Sequence, residues 1–62
     1  MKVKEGDLIK LAGKNGHGWE VDLYVGNTYM VHWDDDLKYY IYDAAGDRVQ
    51  LYWHIQHQFK LV

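Results

Sequence analysis

The sequence predicts a small all-β protein, a barrel of five to six short antiparallel strands, and three observations support this prediction. Short runs of β-branched and aromatic residues alternate with polar residues, which is the period of a half-buried strand. Glycine and aspartate separate these runs at intervals typical of tight turns. Between residues 29 and 42, three consecutive aspartates lie between two apolar runs, which indicates a hairpin with a charged tip. We expect residues 1–62 to form a single domain.

The first half of the chain predicts three strands. Residues 8–11 follow a Gly-Asp pair and predict the first strand, and the glycine-rich residues 12–18 predict a loop. Residues 19–25 place apolar side chains at every second position, so they predict a half-buried strand. A Gly-Asn pair then predicts a type II′ hairpin turn, after which residues 28–33 return as the next strand.

The second half of the chain continues this pattern. The aspartate triplet turns the chain into a strand at residues 37–42, and a further turn leads to a strand at residues 48–53. Residues 54–58 have poor strand character and predict a single 3₁₀ turn before a last short strand at residues 59–62. Closing these strands into a small barrel would remove the exposed edges of a flat sheet.

Four segments resemble a known superfamily. The Gly-Asp opening at Gly6–Leu11 and the hairpin at Tyr29–Asp34 resemble the SH3-like small barrels. Tyr40–Gly46 and Phe59–Val62 are similar to the later segments of the Mind-bomb type, so the chain resembles the Tudor and Mind-bomb branches most. The resemblance implies a small barrel that is a non-enzymatic module, which recognises a peptide, a modified side chain or a nucleic acid. A fold alone does not choose among these ligands.

The charge of the chain is small and unevenly distributed, with a formal net charge of −2. Residues 1–18 carry four lysines and two acids (+2), residues 19–47 seven acids and one lysine (−6), and residues 48–62 two bases (+2). A nucleic-acid-binding domain usually has a clear basic excess, which this chain lacks. The acidic middle of the chain therefore favours a basic partner.

The composition also limits the compartment and the means of stabilisation. The chain has no cysteine, which excludes disulfides and thiolate metal sites. Its first residues are polar, and no apolar run is long enough to cross a bilayer, so we expect a cytoplasmic protein without membrane contact. Aromatic residues make up 16% of the chain, and their burial is expected to supply much of the core.

Aromatic and acidic residues together predict a protein-binding surface. Four tyrosines fall opposite the apolar stripes and are expected to be exposed: Tyr24, Tyr40, Tyr42 and Tyr52. Exposed rings are typical of binding surfaces. We expect a non-enzymatic binding module or small regulatory protein, of the kind that phages and mobile elements encode, which docks a basic or extended peptide segment of a partner. The predicted partner-binding residues are Trp19, Trp33, Asp34, Asp35, Asp36, Tyr40 and Tyr42.

Two other classes of function stay open. A nucleic-acid-binding barrel would use a basic face, with Tyr52 or Trp53 as a stacking platform. That face would consist of Lys2, Lys4, Lys10, Lys14, Arg48 and Lys60. A structural or assembly protein would instead use its exposed aromatic residues to oligomerise.

Catalysis and metal binding are weaker interpretations. Serine and cysteine are absent and Thr28 is the only threonine, which nearly excludes a nucleophilic enzyme, and we expect no cofactor. The aspartate triplet lacks the ligand spacing of a calcium loop and is more typical of a solvated turn. His54 and His57, with His32, His17 or an aspartate at 43 or 47, have a spacing that zinc sites use. Surface histidines of a small domain are more often solvated than bound to a metal ion, so we expect no metal site.

Overall fold

The computed structural model describes residues 2–14 and 21–62, except for the side chain of His54. Within these residues the elements are β1 (Leu8–Leu11), β2 (Thr28–Met30), β3 (His32–Asp34), β4 (Lys38–Tyr42), β5 (Arg48–Gln50), α1 (Trp53–Gln56) and β6 (Phe59–Leu61). The strands form two antiparallel three-stranded sheets. Sheet A has the order β2-β1-β6 and sheet B the order β3-β4-β5. The prediction of a small all-β protein is confirmed.

The chain passes from sheet A to sheet B at Val31. The Val31 N–H donates to the Asp7 carbonyl at 2.8 Å, and the Val31 carbonyl accepts from the Gly6 N–H at 2.8 Å. The Val31 side chain is fully buried. The single strand predicted at 28–33 is therefore divided into β2 and β3, because its middle residue pairs with the segment before β1 and serves both sheets.

The core lies between the inner faces of the two sheets. Sheet A contributes Ile9 and Leu11, sheet B contributes Ile41, and α1 adds Ile55. The full buried cluster is Val3, Ile9, Leu11, Leu23, Val31, Ile41, Leu51, Ile55 and Phe59. Each large aliphatic side chain buried in this way contributes roughly 1.5–3 kcal/mol of transfer free energy.

The strand predicted at 19–25 is wrong where the structure describes it. Residues 21–27 form bends and turns instead, although Leu23 is fully buried as its alternation predicts. A turn and a strand side chain satisfy parts of this backbone: the Ala44 N–H donates to the Asp22 carbonyl at 2.9 Å, and the Tyr24 N–H donates to the Tyr29 hydroxyl at 2.8 Å. Residues 19 and 20, and residues 15–18 of the predicted loop, lie outside the described part of the chain.

The turn before β2 is also of a different type from the one predicted. The Asn27 N–H donates to the Tyr24 carbonyl at 3.1 Å, so the turn spans Tyr24 to Asn27. Gly26 is its third residue and has a φ of 93°, as a type II turn requires. The type II′ prediction fails because the turn begins one residue earlier than the Gly-Asn pair suggests.

Two further features differ in detail from the prediction. Across residues 2–14 and 21–62, no strand pairing joins the two sheets into a closed barrel. The 3₁₀ turn predicted at 54–58 is instead the four-residue helix α1, in which the Gln56 N–H donates to the Tyr52 carbonyl at 3.1 Å.

Within residues 2–14 and 21–62, no helix has the length and apolar character needed to cross a membrane.

Candidate functional site

Asp34 organises the tip of the β3–β4 hairpin. Its Oδ1 accepts the Leu37 N–H at 2.6 Å, which closes the turn over residues 35–37. Its Oδ2 accepts a 2.6 Å hydrogen bond from Arg48 Nη1. Both oxygens therefore have partners inside the molecule. The sequence predicts that Asp34 contacts a partner protein, and the structure shows that its carboxylate also holds the turn.

The other two aspartates of the triplet are exposed. Asp35 and Asp36 form no ion pair within the described residues, and the exposed Trp33 ring lies on the same hairpin with 41% of its surface accessible. Lys38 follows the turn with a φ of 64°, and its Nζ lies 5.5 Å from the centroid of the Trp33 ring. We refer to Trp33, Asp35, Asp36 and Leu37 as the acidic tip.

The outer face of sheet B carries three rings in mutual contact, which we call the outer aromatic cluster: His32, Tyr40 and Tyr42. His32 lies opposite Tyr40 in the β3–β4 register, and their ring centroids are 5.4 Å apart. Tyr42 packs edge-on against both, at 5.2 Å from His32 and 5.6 Å from Tyr40. Tyr40 is only 9% exposed, so the prediction of an exposed Tyr40 is wrong, because neighbouring side chains on the outer face cover its ring.

Arg48 and Tyr42 set the electrostatics of Tyr40. The Arg48 guanidinium carbon lies 5.5 Å from the centroid of the Tyr40 ring. A hydrogen bond with the Tyr42 side chain, followed by burial, raises the pKa of Tyr40 above its ordinary value. Arg48 opposes this effect by favouring the phenolate, but it is the weaker influence. Tyr40 therefore keeps its phenolic proton at physiological pH and acts as a packing group.

The predicted partner-binding residues lie on two opposite faces of sheet B. Trp33 lies opposite Tyr39, with ring centroids 4.9 Å apart, on the face that also holds the buried Ile41. Tyr40 and Tyr42 lie on the other face. The structure thus groups Trp33 with Asp35 and Asp36, and it groups Asp34 with Tyr40 and Tyr42. Trp19, the remaining member of the predicted set, lies outside the described residues.

An open groove of about 440 Å³ adjoins the acidic tip. Its apolar lining comes from Val21, Leu37, Val49 and Ile55, and the rest of the lining is Arg48, Gln50 and Tyr52. Leu37 belongs to both the tip and the groove, which places apolar surface next to exposed carboxylates. This groove is not predictable from the sequence, because its lining residues lie in four separate segments and share only their largely apolar character.

The predicted basic face is divided as well. Lys10 and Lys60 lie directly opposite each other across β1 and β6. Lys2 and Lys4 line a second open groove of about 580 Å³ beside the end of β6. The other two cations lie elsewhere: Lys14 has its Nζ 5.7 Å from the centroid of the Tyr24 ring, and Arg48 belongs to sheet B.

The structure provides no metal centre among the side chains it describes. These side chains contain no group of three histidine, cysteine or acidic residues that could hold an ion. His17 and the side chain of His54 lie outside the described part, so the predicted His54–His57 pair stays untested. His57 packs edge-on against Trp53, with ring centroids 5.8 Å apart.

Comparison of the chain with protein-family models, with curated proteins and with solved structures found no match. Its function is therefore inferred from its own geometry.

Proposed function

We propose that this protein is a non-enzymatic module of the SH3-like small-barrel type, which docks an extended, basic segment of a partner protein. The observation that carries this proposal is the junction at Leu37, where the acidic tip meets the apolar groove. An extended peptide alternates its side chains between two directions. Basic residues of such a segment would contact Asp35 and Asp36 while apolar residues enter the groove beside Leu37.

The barrel assignment has support in the path of the chain. Two small sheets share one core, and the run from β2 to β3 crosses between them at Val31. Strands that pass from one sheet to the other at a bend are typical of packed β-sheets that approach a barrel.

The groove and the tip would contribute differently to binding. Each exposed ion pair at the tip is worth only about 0.2–1 kcal/mol. Apolar area removed from water contributes roughly 25 cal/mol per Å², so the groove would supply most of the affinity. The two carboxylates would orient the segment and speed its association.

The hydrogen bond from Leu37 to Asp34 prepares the tip for binding. A turn that is already closed loses little conformational entropy when a partner docks. Because Asp34 is engaged internally, the carboxylates left for a partner are those of Asp35 and Asp36.

A titration with defined peptides tests the proposal. A short peptide of alternating lysine and valine is added to isotope-labelled protein, and amide signals are followed by NMR. We expect shifts at residues 35–38 and at the groove, and at least about tenfold weaker binding of the D35K/D36K variant. The D22K/D47K variant is the matched control, since it makes the same change of charge at two exposed acids near the far end of β4.

Two results would contradict the proposed function. One is equal binding of the peptide by the wild type and the D35K/D36K variant. The other is a response only to a glutamate–valine peptide or a single-stranded oligonucleotide, which would move the function to the lysine side chains.

A further inference from the structure

The outer face of sheet A carries a row of exposed aliphatic side chains. Leu8 lies opposite Met30 in the β1–β2 register, and the Val62 N–H donates to the Leu8 carbonyl at 3.0 Å. Side chains directly opposite each other share a face of the sheet, and the adjacent Ile9 points into the core. Leu8 is 43% exposed, Met30 50% and Val62 75%. β1, β2 and the residue that follows β6 thus present an apolar row to solvent.

A row of lysines lies beside the apolar row. Lys10 is directly opposite Lys60, two residues along each strand from Leu8 and Val62. Like charges in directly opposed positions destabilise a sheet. No carboxylate forms an ion pair with either lysine within the described residues. We call Leu8, Lys10, Met30, Lys60 and Val62 the basic face.

The acidic tip has the complementary character on the other sheet. Asp35 and Asp36 have no cationic partner in the described chain, and they are flanked by the exposed Trp33 and the half-buried Leu37. Each surface thus combines unpaired charge of one sign with adjoining apolar side chains. The two surfaces are therefore complementary in charge, and both carry apolar side chains.

We propose that a second copy of this chain docks its acidic tip on the basic face. Asp35 and Asp36 of one copy pair with Lys10 and Lys60 of the next, and the neighbouring apolar side chains are buried together. This inference rests on the proposed function, because it names the partner of the same tip. In this assembly the tip contacts a basic sheet face formed by β1 and β6, in place of a single extended peptide segment.

The proposed contact is heterologous, which determines how the assembly grows. The tip and the basic face are different surfaces, so each docked copy leaves one of its own surfaces open and the assembly grows head to tail. A hairpin tip covers less than the roughly 800 Å² per partner of a standard stable interface, so the contact is weak. It is also sensitive to salt, because surface charges are screened within about 10 Å at 0.1 M ionic strength.

Analytical ultracentrifugation with charge reversals tests the inference. At low salt we expect the weight-average mass of the wild type to rise with concentration and to fall back when salt is added. The D35K/D36K and K10E/K60E variants should each stay monomeric, since each then opposes like charges. Their equimolar mixture should associate again, and the D22K/D47K control should associate like the wild type. Circular dichroism of every variant verifies that the fold is retained.

Several outcomes would overturn the inference. A wild type that stays monomeric up to about 1 mM at low salt would do so, since that limit corresponds to only about 4 kcal/mol of binding free energy. Equal association of all variants, or no association of the mixture, would also refute it. So would a monomer whose basic face binds a single-stranded oligonucleotide.

The peptide titration separates this inference from the proposed function. The K10E/K60E variant keeps an intact tip, so it should still bind the lysine–valine peptide. Retained peptide binding without self-association overturns the second-copy inference alone. Peptide binding by the D35K/D36K variant that equals that of the wild type refutes the docking function itself.

Discussion

The Arg48 guanidinium donates a 2.6 Å hydrogen bond to the Asp34 carboxylate and so connects the two edge strands of sheet B across the central strand β4. The same guanidinium covers the Tyr40 ring between them. One side chain therefore links the hairpin turn, the outer aromatic cluster and β5. This contact explains why the acidic tip is held in place while its remaining carboxylates stay exposed.

Replacing Arg48 should weaken the fold modestly. The R48A variant loses a partly exposed ion pair, worth about 0.2–1 kcal/mol. It also loses a cation–π contact worth about 0.5–1 kcal/mol. We expect the free energy of unfolding to fall by about 1 kcal/mol in urea denaturation. A double-mutant cycle with D34N should show coupling between the two residues, and strictly additive losses would contradict the assigned ion pair.

Substitution by glycine should raise the free energy of unfolding at Lys38, whereas it should lower it at other strand residues. Its φ of 64° lies in the left-handed region, which costs an L-residue roughly 1–2 kcal/mol. The K38G variant relieves this strain but loses the contact with Trp33, so we expect a net gain of about 0.5–1 kcal/mol in unfolding free energy. K60G in β6 is the matched control and should lower stability. A loss of stability in K38G would show that the backbone there is not strained.

Leu23 should be far more sensitive to truncation than its neighbour Val25. Leu23 is fully buried although it lies outside any strand, and Val25 is exposed. We expect L23A to lower the free energy of unfolding by about 2–5 kcal/mol, because it leaves a cavity. V25A should change stability by less than about 0.5 kcal/mol. Thermal and urea unfolding measure both, and similar effects of the two variants would argue against the packing of this segment.

The raised pKa of Tyr40 predicts a loss of stability in strongly alkaline solution. Its pKa is raised in the folded chain, so the fold keeps the phenolic proton that the unfolded chain releases near pH 10.0. This contribution to stability is complete below pH 10.0 and is lost as the pH rises through the higher folded pKa. The urea midpoint, measured alongside tyrosinate absorbance, should decline in that window. The decline should be smaller in Y42F than in the Y24F control, and identical titrations would contradict the influence of Tyr42 on the Tyr40 pKa.

Local patterns predicted the elements whose causes are local. Residues 8–11 form β1 as expected, because alternation and the preceding Gly-Asp pair act within a few residues. The turn at 43–47 was also predicted, and Asp43 closes it by accepting the N–H groups of Ala45 and Asp47 at 3.0 and 2.9 Å. Aspartate and glycine favour turns for reasons that are local in the chain, so such turns can be predicted from the sequence.

The features that sequence reasoning missed depend on distant contacts. The alternating pattern of residues 28–33 continues through Val31, so the sequence predicts one continuous strand there. The division into β2 and β3 follows from the hydrogen bonds between Val31 and the residues before β1. Tyr40 alternates with apolar residues that face the core, so the sequence predicts that it is exposed. Its ring is covered because His32 and Arg48 reach it from neighbouring strands. Asp34 looks like its two neighbours in the sequence, but it pairs with Arg48, which lies 14 residues further along the chain.

The strand order also implies a sequence of events during folding. Sheet B is a meander of consecutive strands joined by short turns, whereas β1 of sheet A must find β6 from the opposite end of the chain. Closing the longer loop costs more entropy, so we expect sheet B to be protected first in pulsed hydrogen exchange and β1–β6 last. Incompletely folded chains would then display the acidic tip before any copy offers the surface that receives it, which delays assembly until folding is finished.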